Sequence, residues 1–138
     1  MSVITAALFN ETLLSKVPIA VHLGIRAEQL DRGAARLIMP YSPQLARPVD
    51  TVSGPAMMTL ADVAVWAAVL SMLGPVEMAV TTSLTMNFLR KAGAVDMVAE
   101  AKVLKMGRRL AVAACELVAA DTDELVAHAT ASYSIPPS

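Results

Sequence analysis

The sequence predicts an α+β chain: an antiparallel sheet covered on one side by a single long helix. Two observations predict it. The run from Pro55 to Leu73 is almost wholly apolar, with Asp62 its one charged residue, and its length suits a buried helix. After it come four strand-length segments rich in Val, Thr, Leu and Ala, joined by links short enough for antiparallel neighbours.

The elements follow in order. Val3 to Lys16 carries Ile4, Leu8, Leu13 and Leu14 at loosely helical spacing. This predicts a short helix ending before Pro18, so that residues 1–17 form an N-terminal helical arm, a lid or packing element. Val21 to Gly33 and Ala34 to Met39, interrupted by Asp31-Arg32-Gly33, predict a hairpin of two strands. The segment from Pro40 to Asp50 holds Pro40, Pro43 and Pro48 and predicts a loop. Ser53-Gly54-Pro55 then opens the central helix. Pro55 suits the first helical position, where its missing N–H costs little, which makes Gly54 the N-cap with a bare amide at the positive end of the helix. Such an amide can bind an oxyanion. The helix stops at Gly74-Pro75. Strands over Ala79–Lys91, Asp96–Lys105, Leu110–Ala119 and Glu124–Ile135 follow as a meander, and the alternation of Ala99, Ala101 and Val103 with Glu100, Lys102 and Leu104 predicts one covered face.

With 138 residues the chain reads as one domain spanning 1–138. A hydrophobic fraction of 56% and a mean hydropathy of +0.57 exceed what a monomer of this size needs, which predicts burial between subunits. The net charge of −1 gives no cationic field and argues against nucleic acid or an anionic membrane as the main partner. Cys115 is the only cysteine, so no internal disulfide can form; a buried thiol in a reducing cytoplasm is expected. The first residues lack the basic region and cleavage site of a secretory signal. Pro55 to Leu73 approaches the length of a membrane span, but Thr59, Asp62 and Ser71 within it and the lack of basic flanks favour a buried soluble helix.

Chemistry concentrates at few residues. Asp62 lies eight residues beyond Gly54, about 12 Å along a helix, too far to act on an atom held at its own Gly54. Two copies of the chain could bring the groups together. The bland alternative for Asp62 is a carboxylate satisfied by neighbouring hydroxyls or by a cation across an interface. Met57, Met58, Met72, Met86 and Trp66 read as core filler. His22 and His128 stand apart from other ligand types, so no metal site is expected. Arg90-Lys91, Lys105 and Arg108-Arg109 at strand ends are either solvated charge or a phosphate cradle. Rossmann, Walker, Gly-x-Ser-x-Gly and paired-Cys motifs are absent, which sets aside redox, kinase and serine-hydrolase chemistry.

This order of elements, with Ser53-Gly54-Pro55…Leu60-Ala61-Asp62 at the helix start, Asn87-Phe88-Leu89-Arg90 in the next strand and Gly107-Arg108-Arg109-Leu110 later, resembles the hotdog-fold acyl-CoA thioesterases of the phenylacetic-acid-degradation type over roughly Leu30 to Ile135. The resemblance implies a curved sheet wrapped around the helix, two protomers joined into a continuous sheet, and active sites at the dimer interface. By it, Gly54 N–H polarises a thioester carbonyl while Asp62 of the other subunit acts as nucleophile or as base for water. Thr81 matches a Ser or Thr near that water. Ser53 stands where the family has His, Pro55 where it has a second Gly, and Arg47 near the place of an Asn. Ser53 either donates to the thioester or satisfies the helix start. No cofactor is implied beyond coenzyme A as part of the substrate, a small or medium acyl or aryl thioester, with Asn87, Arg90, Lys91, Arg108 and Arg109 as candidate coenzyme contacts. A homodimer, paired again into a tetramer, is the expected assembly. The rivals are a non-catalytic acyl-CoA binding module and, with Ser53 in place of His against it, a hotdog dehydratase or hydratase.

Overall fold

The computed structural model describes residues 1–48, 51–76 and 78–137. After short helical pieces α1 (Ala6–Leu8) and α2 (Pro18–His22) come strands β1 (Arg26–Asp31), β2 (Ala34–Met39), β3 (Ala46–Arg47) and β4 (Thr51–Val52). Helix α3 (Gly54–Leu73) is followed by β5 (Val80–Phe88), β6 (Met97–Met106), β7 (Leu110–Ala119) and β8 (Leu125–Ser134).

The main sheet is antiparallel with strand order β1-β2-β6-β7-β8-β5. α3 touches all six of its strands, so the sheet curls around the helix in the hotdog arrangement. The helix needs that cover: Leu60, Ala64, Val65, Ala67, Ala68, Val69 and Leu70 are completely buried. The inner face of β8 makes room for it with Ala127, Ala129 and Ala131, whose small side chains let the helix approach. Gly33, at φ +77° in the β1–β2 turn, donates to the buried Ser71 Oγ at 2.8 Å and so ties the hairpin to the end of α3.

Three expectations change. The first strand begins at Arg26 rather than Val21, because Pro18 starts a helical turn that runs to His22. The Pro40–Asp50 segment is not all loop: Pro43–Leu45 is a 3-10 turn, and β3 pairs with β4, though Val49 and Asp50 lie outside the described residues. β6, β7 and β8 do form a meander, but β5 does not open it. β5 pairs with β8 at the far edge while β6 pairs with β2, so the link 89–96 crosses the sheet. The helix explains this, since α3 must lie between β2 and β5 to be wrapped. The arm is helical in three pieces, α1 continuing through a π-turn at Phe9–Leu13 into a 3-10 turn at Leu14–Lys16, with Phe9, Leu13 and Leu14 buried.

Candidate active site

α3 begins one residue earlier than its sequence suggests. Ser53, extended at φ −71° and ψ 153°, is the N-cap, and its Oγ accepts the Ala56 amide at 3.3 Å. A serine hydroxyl can satisfy a helix-start amide where glycine cannot, so Gly54 and Pro55 become the first two helical residues. The helix-start role read for Ser53 is formed here. The Met57 amide donates to the Ser53 carbonyl at 3.1 Å and Pro55 has no N–H. The Gly54 amide therefore remains the unpaired donor at this end among the described residues.

Gly54 opens on a cavity of about 290 Å³ walled by Arg47, Val52, Met57, Phe88, Arg90 and Lys91. The Phe88 ring lies over the glycine at ordinary contact distance; a Cβ added there would sit 3.5 Å from Phe88 Cζ. Arg90 is also ion-paired with Glu124, both of them exposed.

Asp62 is half-buried further along α3. The Thr81 hydroxyl donates to Asp62 Oδ1 at 2.7 Å, and the Tyr133 hydroxyl donates to the same oxygen at 2.6 Å while lying 2.9 Å from the Asp62 carbonyl oxygen. Sheet register produces this convergence, because Thr81 and Tyr133 are direct partners across β5 and β8 and so share the face turned to the helix. These two hydroxyls supply the partners that a carboxylate removed from water requires. Burial, and then the nearby charge of Asp62 and its hydrogen bond, push the Tyr133 phenol well above its ordinary range, so it stays a donor. Val17, Val63, Trp66, Ala79 and Val80 complete a largely apolar cavity of about 380 Å³ around the acid. Trp66, one turn beyond Asp62, packs edge-on against Phe9 at 5.2 Å, and its buried indole Nε1 has no hydrogen-bond partner among the described residues.

The remaining candidates are spread over the sheet. Arg90 and Lys91 follow the Phe88 end of β5, beside Gly54. Arg108 and Arg109 precede Leu110, which pairs with Ser134, itself the partner of Val80. They therefore lie at the opposite end of the sheet, with Thr81 and Asp62. Asn87 alternates with Phe88 and faces outward opposite His128. One protomer thus gathers Asp62 with Thr81, and Gly54 with Arg90 and Lys91, in two separate cavities. Among the described residues no three His, Cys, Asp or Glu side chains converge as a metal would need. Tyr133 and Trp66 are the site residues that sequence reasoning missed or took for filler. The signal for Tyr133 was present: it is the one large polar-tipped residue on an inner face otherwise carrying Ala127, Ala129 and Ala131.

Comparison with known proteins bears on this geometry. Residues 50–126 match the family model described as the thioesterase superfamily. A provisionally assigned thioesterase from a Silicibacter species is 35% identical, with 99% of this chain and 95% of that one covered and a TM-score of 0.88. The E. coli PaaI protein of the phenylacetic acid degradation operon is 25% identical over 95% and 93% of the two chains, with a TM-score of 0.84. A mutant of the phenylacetic acid degradation protein PaaI from Thermus thermophilus is 28% identical over 86% and 99%, with a TM-score of 0.77. No match was found among curated proteins.

Proposed function

From the premise that the chain belongs to the thioesterase superfamily, we propose that it hydrolyses thioesters of coenzyme A carrying a small or medium acyl or aryl group, in the cytoplasm, at sites each completed by two copies of the chain. The single observation that carries this reading is the separation of the Gly54 amide, unpaired among the described residues, from the Asp62 carboxylate, in distinct cavities at opposite ends of β5.

β5 explains how the halves meet. It is nine residues long, lies at the sheet edge, and leaves Val80 50% and Phe88 48% exposed, with Met78 and Leu89 beside it at 72% and 55%. A long edge strand with apolar side chains exposed at both ends is poorly suited to water and is covered most simply by a second copy. A two-fold axis pairs the strands antiparallel, setting the Val80 end of one against the Phe88 end of the other. The Asp62 cavity of one protomer then adjoins the Gly54 cavity of its partner. The least covered stripe of α3, through Pro55, Met58, Thr59, Asp62 and Trp66 at helical spacing, suits the same face. A second pairing of dimers completes the expected tetramer.

In the composite site the Gly54 N–H receives the thioester carbonyl oxygen and stabilises the charge that develops on it. Asp62 either takes a proton from the attacking water or attacks the carbonyl carbon itself, giving an anhydride that water then opens. In both routes the C–S bond breaks, the acyl group leaves as a carboxylic acid and coenzyme A leaves as the thiol. Arg90 and Lys91 of the Gly54 side, joined by Arg108 and Arg109 of the partner, offer cations to the phosphates of the nucleotide. Hydrolysis assays over a panel of acyl-CoAs, with binding measured in parallel, test the reading. Turnover supports it; tight binding without turnover replaces it with a non-catalytic acyl-CoA module.

A further inference from the structure

Reading Asp62 as nucleophile or base leaves open which of its two oxygens reacts, and the hydrogen bonds discriminate between them. Both hydroxyl donors, from Thr81 at 2.7 Å and Tyr133 at 2.6 Å, fall on Oδ1, while Oδ2 has no partner among the described residues. A carboxylate on a helix turns freely about its last bond unless something holds one oxygen. Two donors arriving from two adjacent strands remove that freedom.

The two donors are not equivalent. Thr81 sits exposed on the edge strand β5. Tyr133 is 3% exposed, on the interior strand β8, with its ring locked in the core. Its hydroxyl also lies 2.9 Å from the Asp62 backbone carbonyl, which registers the phenol against the helix itself. Its burial keeps it protonated through the pH range where hydrolases work.

We propose that Tyr133 is a positioning residue, which with the help of Thr81 fixes Asp62 Oδ1 so that Oδ2 is the oxygen presented to the substrate or the water. This rests on the proposed role of Asp62 and deepens it. Tyr133 touches no reacting atom; it acts through the carboxylate.

The test is a double-mutant cycle on the full-length protein with the best acyl-CoA substrate, comparing wild type, Tyr133→Phe, Asp62→Asn and the double variant. Tyr133→Phe keeps the ring and removes only the donor. Its kcat is expected to fall about 10- to 100-fold, as for a misplaced catalytic group, with KM changed less than about twofold. In the Asp62→Asn background the same substitution is expected to cost nothing more, because its effect passes through the carboxylate. Thr81→Val, at an exposed position, provides a second variant and is expected to lower kcat in the same way by a smaller factor. An unchanged kcat in Tyr133→Phe, or a full repeat of its loss in the Asp62→Asn background, overturns the positioning role and leaves that of Asp62 intact. A wild-type kcat in Asp62→Asn alone overturns both.

Discussion

The two ends of α3 present opposite chemistry. Around Asp62 the acid is held by Thr81 and Tyr133 in an apolar cavity with Val63 and Trp66 in its wall. Around Gly54 a backbone amide is left unpaired among the described residues, beside Arg47, Arg90 and Lys91. The first end can take up a proton or attack a carbon; the second can receive negative charge. The proposed hydrolysis uses both groups at once. The contrast underlies the proposal that a complete site is assembled from two chains joined at the exposed edge of β5.

The comparison breaks most readily at its acidic end. Asp62→Asn keeps the shape of the side chain and is expected to lower kcat by about 10²–10⁴-fold. Melting temperature and assembly, measured on the same samples, should barely move. A large loss of stability with kcat preserved would make Asp62 a structural acid. At the other end Gly54→Pro is the sharper probe. Proline fits the first helical position, and the extended Ser53 backbone at ψ 153° is what a following proline requires, so little is lost but the N–H. The expected loss is about 10²–10³-fold in kcat, as for an oxyanion donor. Gly54→Ala, which retains the amide and meets Phe88 at an ordinary 3.5 Å, should lose much less.

A smaller effect separates coenzyme binding from chemistry. Arg90→Ala should raise KM for an acyl-CoA about tenfold while leaving a short pantetheine thioester nearly unaffected, since only the former carries nucleotide phosphates. Its exposed ion pair with Glu124 contributes little to stability. Equal changes for both substrates would remove Arg90 from coenzyme recognition. The smallest effect belongs to the Asp62 end alone. The folded protein holds the Tyr133 proton above the pH, near 10, at which the unfolded chain releases it. The stability linked to this group is therefore complete below about pH 10 and declines as pH rises beyond it. Thermal melts from pH 9 to 11 should fall more steeply for wild type than for Tyr133→Phe. Cys115, pushed by burial from 9.0 to about 12, adds the same decline to both proteins and cancels.

Much of this contrast is legible in the sequence. The apolar run with one acid in it, the Ser53-Gly54-Pro55 start and the stop at Gly74-Pro75 place α3 and the spacing between its two functional groups, because helical geometry depends only on residue number. The register that sets Tyr133 opposite Thr81 is not local. It depends on β5 lying at the far edge beside β8, whereas the short links suggest a simple meander. Tyr133 was invisible as a partner of Asp62 for that reason: the two are 71 residues apart and meet only once the strand order is known. The Ser53 cap was equally ambiguous, since Ser and Gly both start helices and only the bond to Ala56 decides between them.

The central claim is that each site takes its acid from one protomer and its oxyanion donor from the other, and subunit mixing tests it most directly. Asp62→Asn and Gly54→Pro proteins, each inactive alone, would be unfolded together and refolded in equal amounts. In a mixed two-fold dimer one site carries both defects and the other carries none. With random pairing about half of the dimers are mixed, so activity is expected to return to about one quarter of wild type. If both groups served the same site within one chain, every site in the mixture would keep one defect, and activity no higher than that of the two parents would contradict the shared site.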